Sequence, residues 1–128
     1  MRRVLLFALV LAAALVAAPA ATRAAPDQTL GMALMSALVN SNGTLLGGAG
    51  ATSSNQHSTG RYRVFFNRSV LGCGYVATRS HFMPNTHMDP ATISTAPGDS
   101  ASSVWVVVQE ADGTYVDRIF GMIVFCAK

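Results

Sequence analysis

The densest group of candidate reactive side chains in the 128-residue sequence lies between His81 and Asp89. This segment holds two imidazoles, two thioethers and a carboxylate within nine residues, and it also contains a proline. Imidazole and thioether ligands together favour copper, especially Cu(I). A loop of this kind would allow His81, Met83, His87 and Met88 to surround one ion. The competing interpretation is a solvated loop, which is the more common fate of histidine and methionine in a polar segment.

The sequence contains no recognisable catalytic motif. Serine, histidine and aspartate all occur, but no G-x-S-x-G nucleophile elbow is present. The glycine-rich segment 47–50 is not followed by the Lys-Ser/Thr pair of a phosphate-binding loop. Asp99, Glu110, Asp112 and Asp117 lie in turn-like contexts, where capping and solvation explain them. We therefore expect no enzyme activity and no cofactor.

Cys73 and Cys126 are the only cysteines. In an exported chain, an even cysteine count favours a disulfide over free thiols. The bridge would close a loop of 54 residues, both cysteines included, and is worth about 4 kcal/mol in the chain-entropy model. The alternative, a reactive or metal-binding thiol, lacks the second nearby cysteine that metal motifs carry. A Cys73–Cys126 disulfide is the prediction.

Four large aromatic side chains could form a binding face for a sugar or a protein. They are Tyr62, Tyr75, Trp105 and Tyr115. Each lies within or beside a predicted strand, so packing in the core is the favoured interpretation and a binding face is the alternative.

The N-terminal segment has the order of features found in secretory signal peptides. Two arginines precede the uninterrupted apolar run Val4–Val16, and small residues follow. The run is too short for a helix that spans a bilayer, which needs roughly 20 residues. Residues 18–20 and 22–24 offer cleavage sites. We predict a signal peptide over residues 1–24 and an extracellular or periplasmic location; a buried or membrane-anchoring helix is the alternative.

Removal of this segment changes the charge balance. The whole chain has a formal net charge of +3. Residues 25–128 retain six basic and six acidic side chains: Arg61, Arg63, Arg68, Arg79, Arg118 and Lys128 against Asp27, Asp89, Asp99, Glu110, Asp112 and Asp117. A neutral domain has no global field that would attract nucleic acid or an anionic membrane. We expect neither nucleic-acid binding nor a membrane-embedded domain.

Residues 25–128 are predicted to form one domain of short strands. Gly31–Val39 is an apolar run of strand length. Segment 61–66 places Tyr62, Val64 and Phe66 on one face and Arg61 and Arg63 on the other. This alternation is typical of a half-buried strand. Val104–Val108 is dense in β-branched and aromatic residues and is the strongest β segment.

Turn signals separate the strands. Asn40–Gly43 ends in Asn-Gly and predicts a hairpin, with Thr44–Ala51 as the returning strand. Thr52–Gly60 is polar and is predicted to be a loop. Arg79–Ser103 is predicted to be a long loop that holds one short strand near Ala91–Thr95.

The last strand, predicted over Arg118–Cys126, has apolar residues on both faces and should be central in its sheet. Gly72–Thr78 precedes the long loop as another buried strand. Together these segments predict an all-β fold, an antiparallel, jelly-roll-like β-sandwich of about six to eight strands.

Three stretches of the sequence resemble a family pattern. They are Ser41–Leu45, then Gly60–Asn67 with Gly72–Ala77, and finally Val124–Cys126. The array is similar to a small β-sandwich repeat of uncharacterised secreted bacterial proteins. The resemblance covers about residues 33–126, and it implies an all-β fold, paired cysteines and no catalytic motif.

These observations predict a secreted, non-catalytic domain with a structural or adhesive role, binding a surface protein or a glycan. Long loops often carry binding residues, so Arg79–Ser103 is the expected contact region. A periplasmic or extracellular copper-binding protein is the alternative. The two differ in an observable, because only the copper protein should respond to a chelator.

Overall fold

The computed structural model describes residues 33–81 and 90–127. The described chain forms eight β-strands: β1 Ala33–Val39, β2 Leu45–Gly47, β3 Ala51–Ser58, β4 Arg61–Phe66, β5 Gly74–Arg79, β6 Thr92–Pro97, β7 Ser103–Gln109 and β8 Phe120–Cys126. The described part contains no helix, and hence none long and apolar enough to cross a membrane. The predicted all-β class is confirmed. The predicted signal peptide, residues 1–24, lies outside the described residues.

The strands form two four-stranded antiparallel sheets. The first sheet has the order β2-β1-β8-β5, and the second sheet has the order β3-β4-β7-β6. The hairpins β3–β4 and β6–β7 are joined within the second sheet by pairing between β4 and β7. The chain passes from one sheet to the other four times, as a sandwich requires. The predicted antiparallel sandwich is therefore confirmed.

The core lies between the two sheets and is built by two-residue alternation. Each central strand sends every second side chain inward. The buried apolar side chains are Met35, Ala37, Val39, Tyr62, Val64, Phe66, Val70, Val104, Val106, Val108, Phe120, Met122, Val124 and Cys126. The rings of Tyr62 and Phe120 meet across the sandwich with centroids 5.1 Å apart. Burial of each large apolar side chain contributes roughly 1.5–3 kcal/mol, so this layer supplies the main driving force for folding.

The Asn-Gly hairpin forms as predicted. Gly43 adopts a φ of +85°, which a residue with a Cβ rarely accepts. The side chain of Asn42 accepts a hydrogen bond from the N–H of Thr44 at 3.0 Å. The returning strand β2, Leu45–Gly47, is shorter than the predicted Thr44–Ala51, and just after it Gly48 comes so close to the backbone of β1 that no Cβ would fit there.

The predicted loop over Thr52–Gly60 is wrong, because this segment forms strand β3. Its side chains are polar on both faces, so they carry no alternation of hydrophobicity that could reveal a strand. The strand is held by backbone hydrogen bonds to β4, in a register that places Asn55 opposite Arg63. An edge strand with one apolar neighbour tolerates such a sequence.

The predicted loop over Arg79–Ser103 is confirmed only in part. Strand β6 lies near the short strand expected at Ala91–Thr95, but it extends to Pro97. Arg79 itself ends β5, and Ser103 begins β7. The central segment of this loop, residues 82–89, lies outside the described residues.

The disulfide between Cys73 and Cys126 is present, with the two Cα atoms 4.3 Å apart. Cys126 ends β8 and Cys73 directly precedes β5. Because Gly74 pairs with Phe125, the two cysteines face each other across neighbouring strands. The bridge therefore ties the edge strand β5 to the central strand β8, rather than linking the two sheets.

Candidate functional site

Trp105 lies on the outer face of the second sheet, where the alternation of β7 places it. Val104, Val106 and Val108 point into the core, so the intervening positions face outward. Trp105 pairs with Arg63 on β4 and with Ala96 on β6. The small side chain of Ala96 leaves space on one side of the indole, which remains partly exposed.

Two polar side chains hold the indole of Trp105 in place. The indole N–H donates a hydrogen bond to Asp99 Oδ1 at 3.1 Å. Asp99 also forms an ion pair with Arg63, whose guanidinium carbon lies 4.4 Å from the indole centroid. The ring is thus fixed by a hydrogen bond and a cation–π contact before any ligand arrives. Asp99 comes from the predicted contact loop, which therefore contributes to this site as a support.

A cavity of about 430 Å³ opens beside this indole, and we call it the Trp105 cleft. Its lining residues are His57, Arg61, Ala96, Trp105 and Val107. The floor is apolar, and the imidazole of His57 and the guanidinium of Arg61 supply polar groups. The rings of His57 and Trp105 meet edge to face, with centroids 5.2 Å apart.

Arg61 differs in its pairing from the neighbouring Arg63. Among the described residues no carboxylate lies within ion-pair distance of Arg61. Its guanidinium carbon lies 5.7 Å from the ring centroid of Tyr115, which orients the side chain without neutralising it. The charge of Arg61 is therefore available to a ligand in the cleft.

The four aromatic residues singled out in the sequence divide between the core and the surface. Tyr62 is buried, and its hydroxyl donates to the carbonyl of Ser41 at 2.8 Å. Burial raises the pKa of Tyr62 well above its ordinary value, and the nearby carboxylate of Asp117 raises it further. Tyr75 is half-buried and packs against the core, whereas Trp105 and Tyr115 face outward. The core interpretation is confirmed for Tyr62 and Tyr75, whereas Trp105 lines the cleft and Tyr115 contacts Arg61 beside it.

His57 and Arg61 were not predicted as site residues. The signal for Arg61 was present, since alternation in β4 placed it opposite to the buried face. His57 gave no signal, because its segment was predicted to be a loop.

Three of the four candidate copper ligands, Met83, His87 and Met88, lie outside the described residues. His81 is exposed and follows β5 by two residues. Within residues 33–81 and 90–127, no three His, Cys, Asp or Glu side chains are grouped as a metal site. The copper hypothesis stays a prediction from sequence.

Native mass spectrometry with Cu(I) and Cu(II) tests the copper hypothesis directly. That hypothesis predicts one ion per chain and its loss in the His81→Ala/His87→Ala double variant, since two of four ligands are then missing. Exposed His57, on the other sheet, offers the matched control, because His57→Ala should leave the bound copper unchanged. No stoichiometric copper on the unaltered chain would contradict the hypothesis.

The four described carboxylates all have partners within the domain. Asp99 pairs with Arg63, and Glu110 pairs with Arg118 at 2.8 Å. The N–H of Thr114 donates to Asp112 within the Asp-Gly turn. Asp117 accepts hydrogen bonds from Gln56 and Gly60 and shares the hydroxyl proton of Tyr62 with the carbonyl of Ser41. Structural roles thus account for each of the four, as the turn-like contexts indicated.

Comparison with protein-family models, with curated proteins and with solved structures found no match to this chain. The resemblance to a secreted bacterial β-sandwich repeat therefore stays a prediction.

Proposed function

We propose that this protein is a secreted, non-catalytic adhesion module that binds a glycan in the Trp105 cleft. One observation carries the proposal: a partly exposed tryptophan, held by Asp99 and Arg63, lies beside Arg61, which has no carboxylate partner among residues 33–81 and 90–127. Such a site is already organised for a ligand that combines an apolar face with polar edges.

A sugar ring has this combination of surfaces. Its faces present C–H groups, which pack on the negative face of an aromatic ring, and its edges present hydroxyls. Trp105 and Val107 offer the apolar floor. The guanidinium of Arg61 donates hydrogen bonds, and the imidazole of His57 both donates and accepts them. The same guanidinium suits a carboxylate on an acidic sugar.

The dimensions of the cleft favour a glycan over a folded protein partner. Its volume of about 430 Å³ falls within the range of about 300–1,000 Å³ found for small-ligand sites. A protein partner would need an extended surface rather than a recess formed by five side chains. We therefore choose a glycan as the ligand and treat a peptide as the competing outcome.

The proposed location outside the cytoplasm rests on two features of the chain. A disulfide is stable in an oxidising compartment. The N-terminal sequence has the order of features of a signal peptide. Both support an extracellular or periplasmic protein, where a glycan ligand is also available.

Trp105 is the only tryptophan of the chain, so its fluorescence reports on the cleft itself. We expect a panel of neutral and acidic oligosaccharides to contain a ligand that changes this fluorescence in a saturable way. Calorimetry should then show at least tenfold weaker binding for Trp105→Ala and Arg61→Ala, a loss of about 1.4 kcal/mol or more. Thr92→Ala is the matched control, because Thr92 is exposed on β6 and does not line the cleft.

The proposal fails if no oligosaccharide in the panel binds. It also fails if a ligand binds equally well to the unaltered protein and to both cleft variants. Saturable binding of a peptide that requires Trp105 would replace the glycan with a protein ligand.

A further inference from the structure

The outer face of the first sheet exposes large apolar side chains that the sandwich core does not use. Leu34, Val76, Ile123 and Phe125 are 65%, 56%, 47% and 38% exposed. The strand register makes them neighbours, because Leu34 pairs with Phe125 and Val76 pairs with Ile123. They therefore form one continuous patch across β1, β8 and β5, which we call the apolar face.

In the part of the chain that the structure describes, the outward positions of the first sheet carry no charged side chain. The outward positions of the four strands are Leu34, Ser36, Leu38, Leu46, Gly74, Val76, Thr78, Gly121, Ile123 and Phe125. The ring of Phe125 lies over Gly74, where any Cβ would collide with it. The hydroxyl of Ser36 accepts a hydrogen bond from the N–H of Ala49. The face thus offers a partner apolar contact and very little else.

The opposite surface of the sandwich has a different chemistry. There the second sheet presents Arg61, Arg63, His57 and the nearby carboxylate of Asp99. A partner that recognises charge would bind that side. A partner for the apolar face must itself be flat, apolar and uncharged, because an opposing charge would be buried without compensation.

We propose that the apolar face binds the same face of a second copy of this chain. A two-fold axis would bring two identical patches together, as in most homodimers. Flat apolar sheet faces pack in this way inside sandwiches, about 10 Å apart and rotated by about 30°. The pair would form four stacked sheets, with the two apolar faces in the middle.

The area of the face is that of a small, transient interface. The four strands hold 23 residues in all, and with strands about 4.8 Å apart and a rise of about 3.4 Å per residue they cover roughly 375 Å². Two such faces lose about 750 Å² of projected area, and somewhat more accessible area, which is below the lower limit of about 1,200 Å² for standard interfaces and typical of transient ones. We therefore expect a weak dimer whose population rises with concentration.

The dimer has a consequence for the proposed function, on which this step rests. The Trp105 cleft lies on the sheet remote from the apolar face. Two copies joined through that face would point their clefts in opposite directions. One dimer could then bridge two glycan-bearing surfaces, and each surface would gain from multivalent attachment.

Sedimentation analysis of the purified, oxidised chain over the micromolar range tests the proposal. We expect the mass to rise with concentration toward twice that of one chain. Ile123→Lys and Val76→Lys should weaken association at least tenfold, because each buries an unpaired charge in the interface. Thr92→Lys, which adds the same charge to the exposed face of the second sheet, should dimerise like the unaltered chain.

Stability and ligand measurements make the outcomes distinguishable. Ile123 and Val76 point out of the core, so both lysine variants should keep the thermal unfolding midpoint of the unaltered chain. If either lysine variant unfolds, Ile123→Thr serves as a milder replacement. A monomeric variant should keep its saturable Trp105 fluorescence response and lose the ability to aggregate glycan-coated beads. If the response is absent in every form, the glycan proposal fails while the dimer is still decided by sedimentation.

Four results would overturn the dimer. One is an unaltered chain that stays monomeric throughout the concentration range. Another is undiminished dimerisation of the lysine variants, which would place the contact at a strand edge. A third is dimerisation only after removal of the residues before Ala33, which would make that segment the occupant. The last is a monomer that binds uncharged phospholipid vesicles through Ile123, which would make the partner a lipid surface.

Discussion

Removal of the Cys73–Cys126 bridge is expected to lower the free energy of unfolding by about 4 kcal/mol, measured by urea unfolding of a Cys73→Ala/Cys126→Ala double variant. The two cysteines are 53 positions apart in the sequence, so the unfolded chain gains much conformational freedom when the disulfide is broken. It also fastens the edge strand β5 to β8 beyond their last backbone pair, Gly74 with Phe125.

A loss of this size is a large part of the roughly 5–15 kcal/mol that stabilises a typical domain. Reduction of the unaltered chain provides the matched control, because it opens the bridge and leaves both sulfur atoms in place. Cys126 is buried and Cys73 is partly buried, so the alanine variant also loses packing. The reduced chain should therefore be slightly more stable than the variant. Equal stability of the reduced and oxidised chains would contradict the expectation.

Strands with one apolar face are predictable from this sequence. In β4, the residues Tyr62, Val64 and Phe66 are buried where alternation predicts, because the flanking arginines mark the outer face. The prediction that β8 is central is confirmed by its pairing with both β1 and β5.

Strands without a contrast between their faces are harder to predict. The faces of β7 cannot be distinguished by composition, since Val104–Val108 is apolar throughout. Only its pairing with β4 and β6 shows that Trp105 faces outward. The same holds for β8, whose apolar residues on both faces predict a central strand but do not show that the face of Ile123 and Phe125 is exposed. Local sequence thus identifies a strand, while the partner strands decide which side meets solvent.

The candidate site is less accessible to sequence reasoning than the fold. The Trp105 cleft assembles His57 of β3, Arg61 of β4 and Ala96 of β6 around one indole. His57 and Arg61 are four positions apart across the β3–β4 turn, whereas Ala96 lies 35 positions beyond Arg61, and the three share no motif. Their proximity depends on the order of strands in the second sheet, which no spacing in the sequence reveals.

Substitution of Asp117 by alanine is expected to lower the free energy of unfolding by about 3 kcal/mol, the cost of leaving the donors of Gln56 and Gly60 without their acceptor. Asp117 Oδ1 accepts hydrogen bonds from Gln56 Nε2 at 2.6 Å and from the N–H of Gly60 at 2.7 Å, and it lies 3.2 Å from the hydroxyl of Tyr62, whose one proton it shares with the carbonyl of Ser41. One carboxylate thereby connects the β3–β4 turn with the segment that leads into β8. Asp112→Ala, at an exposed turn, is the control and should have a smaller effect.

The pH dependence of stability separates this carboxylate from a merely space-filling residue. Partial burial raises the pKa of Asp117, but the bonds from Gly60, Gln56 and Tyr62 lower it more, so the folded pKa lies below its ordinary value. Below an unfolded pKa of about 3.9 the unfolded chain takes up the proton first. The stabilisation is therefore complete above that pH and is lost as the pH falls through the folded pKa. Urea midpoints of the unaltered chain and Asp117→Asn should differ at pH 7 and converge in acid. A difference that is independent of pH would show that the charge of Asp117 contributes nothing.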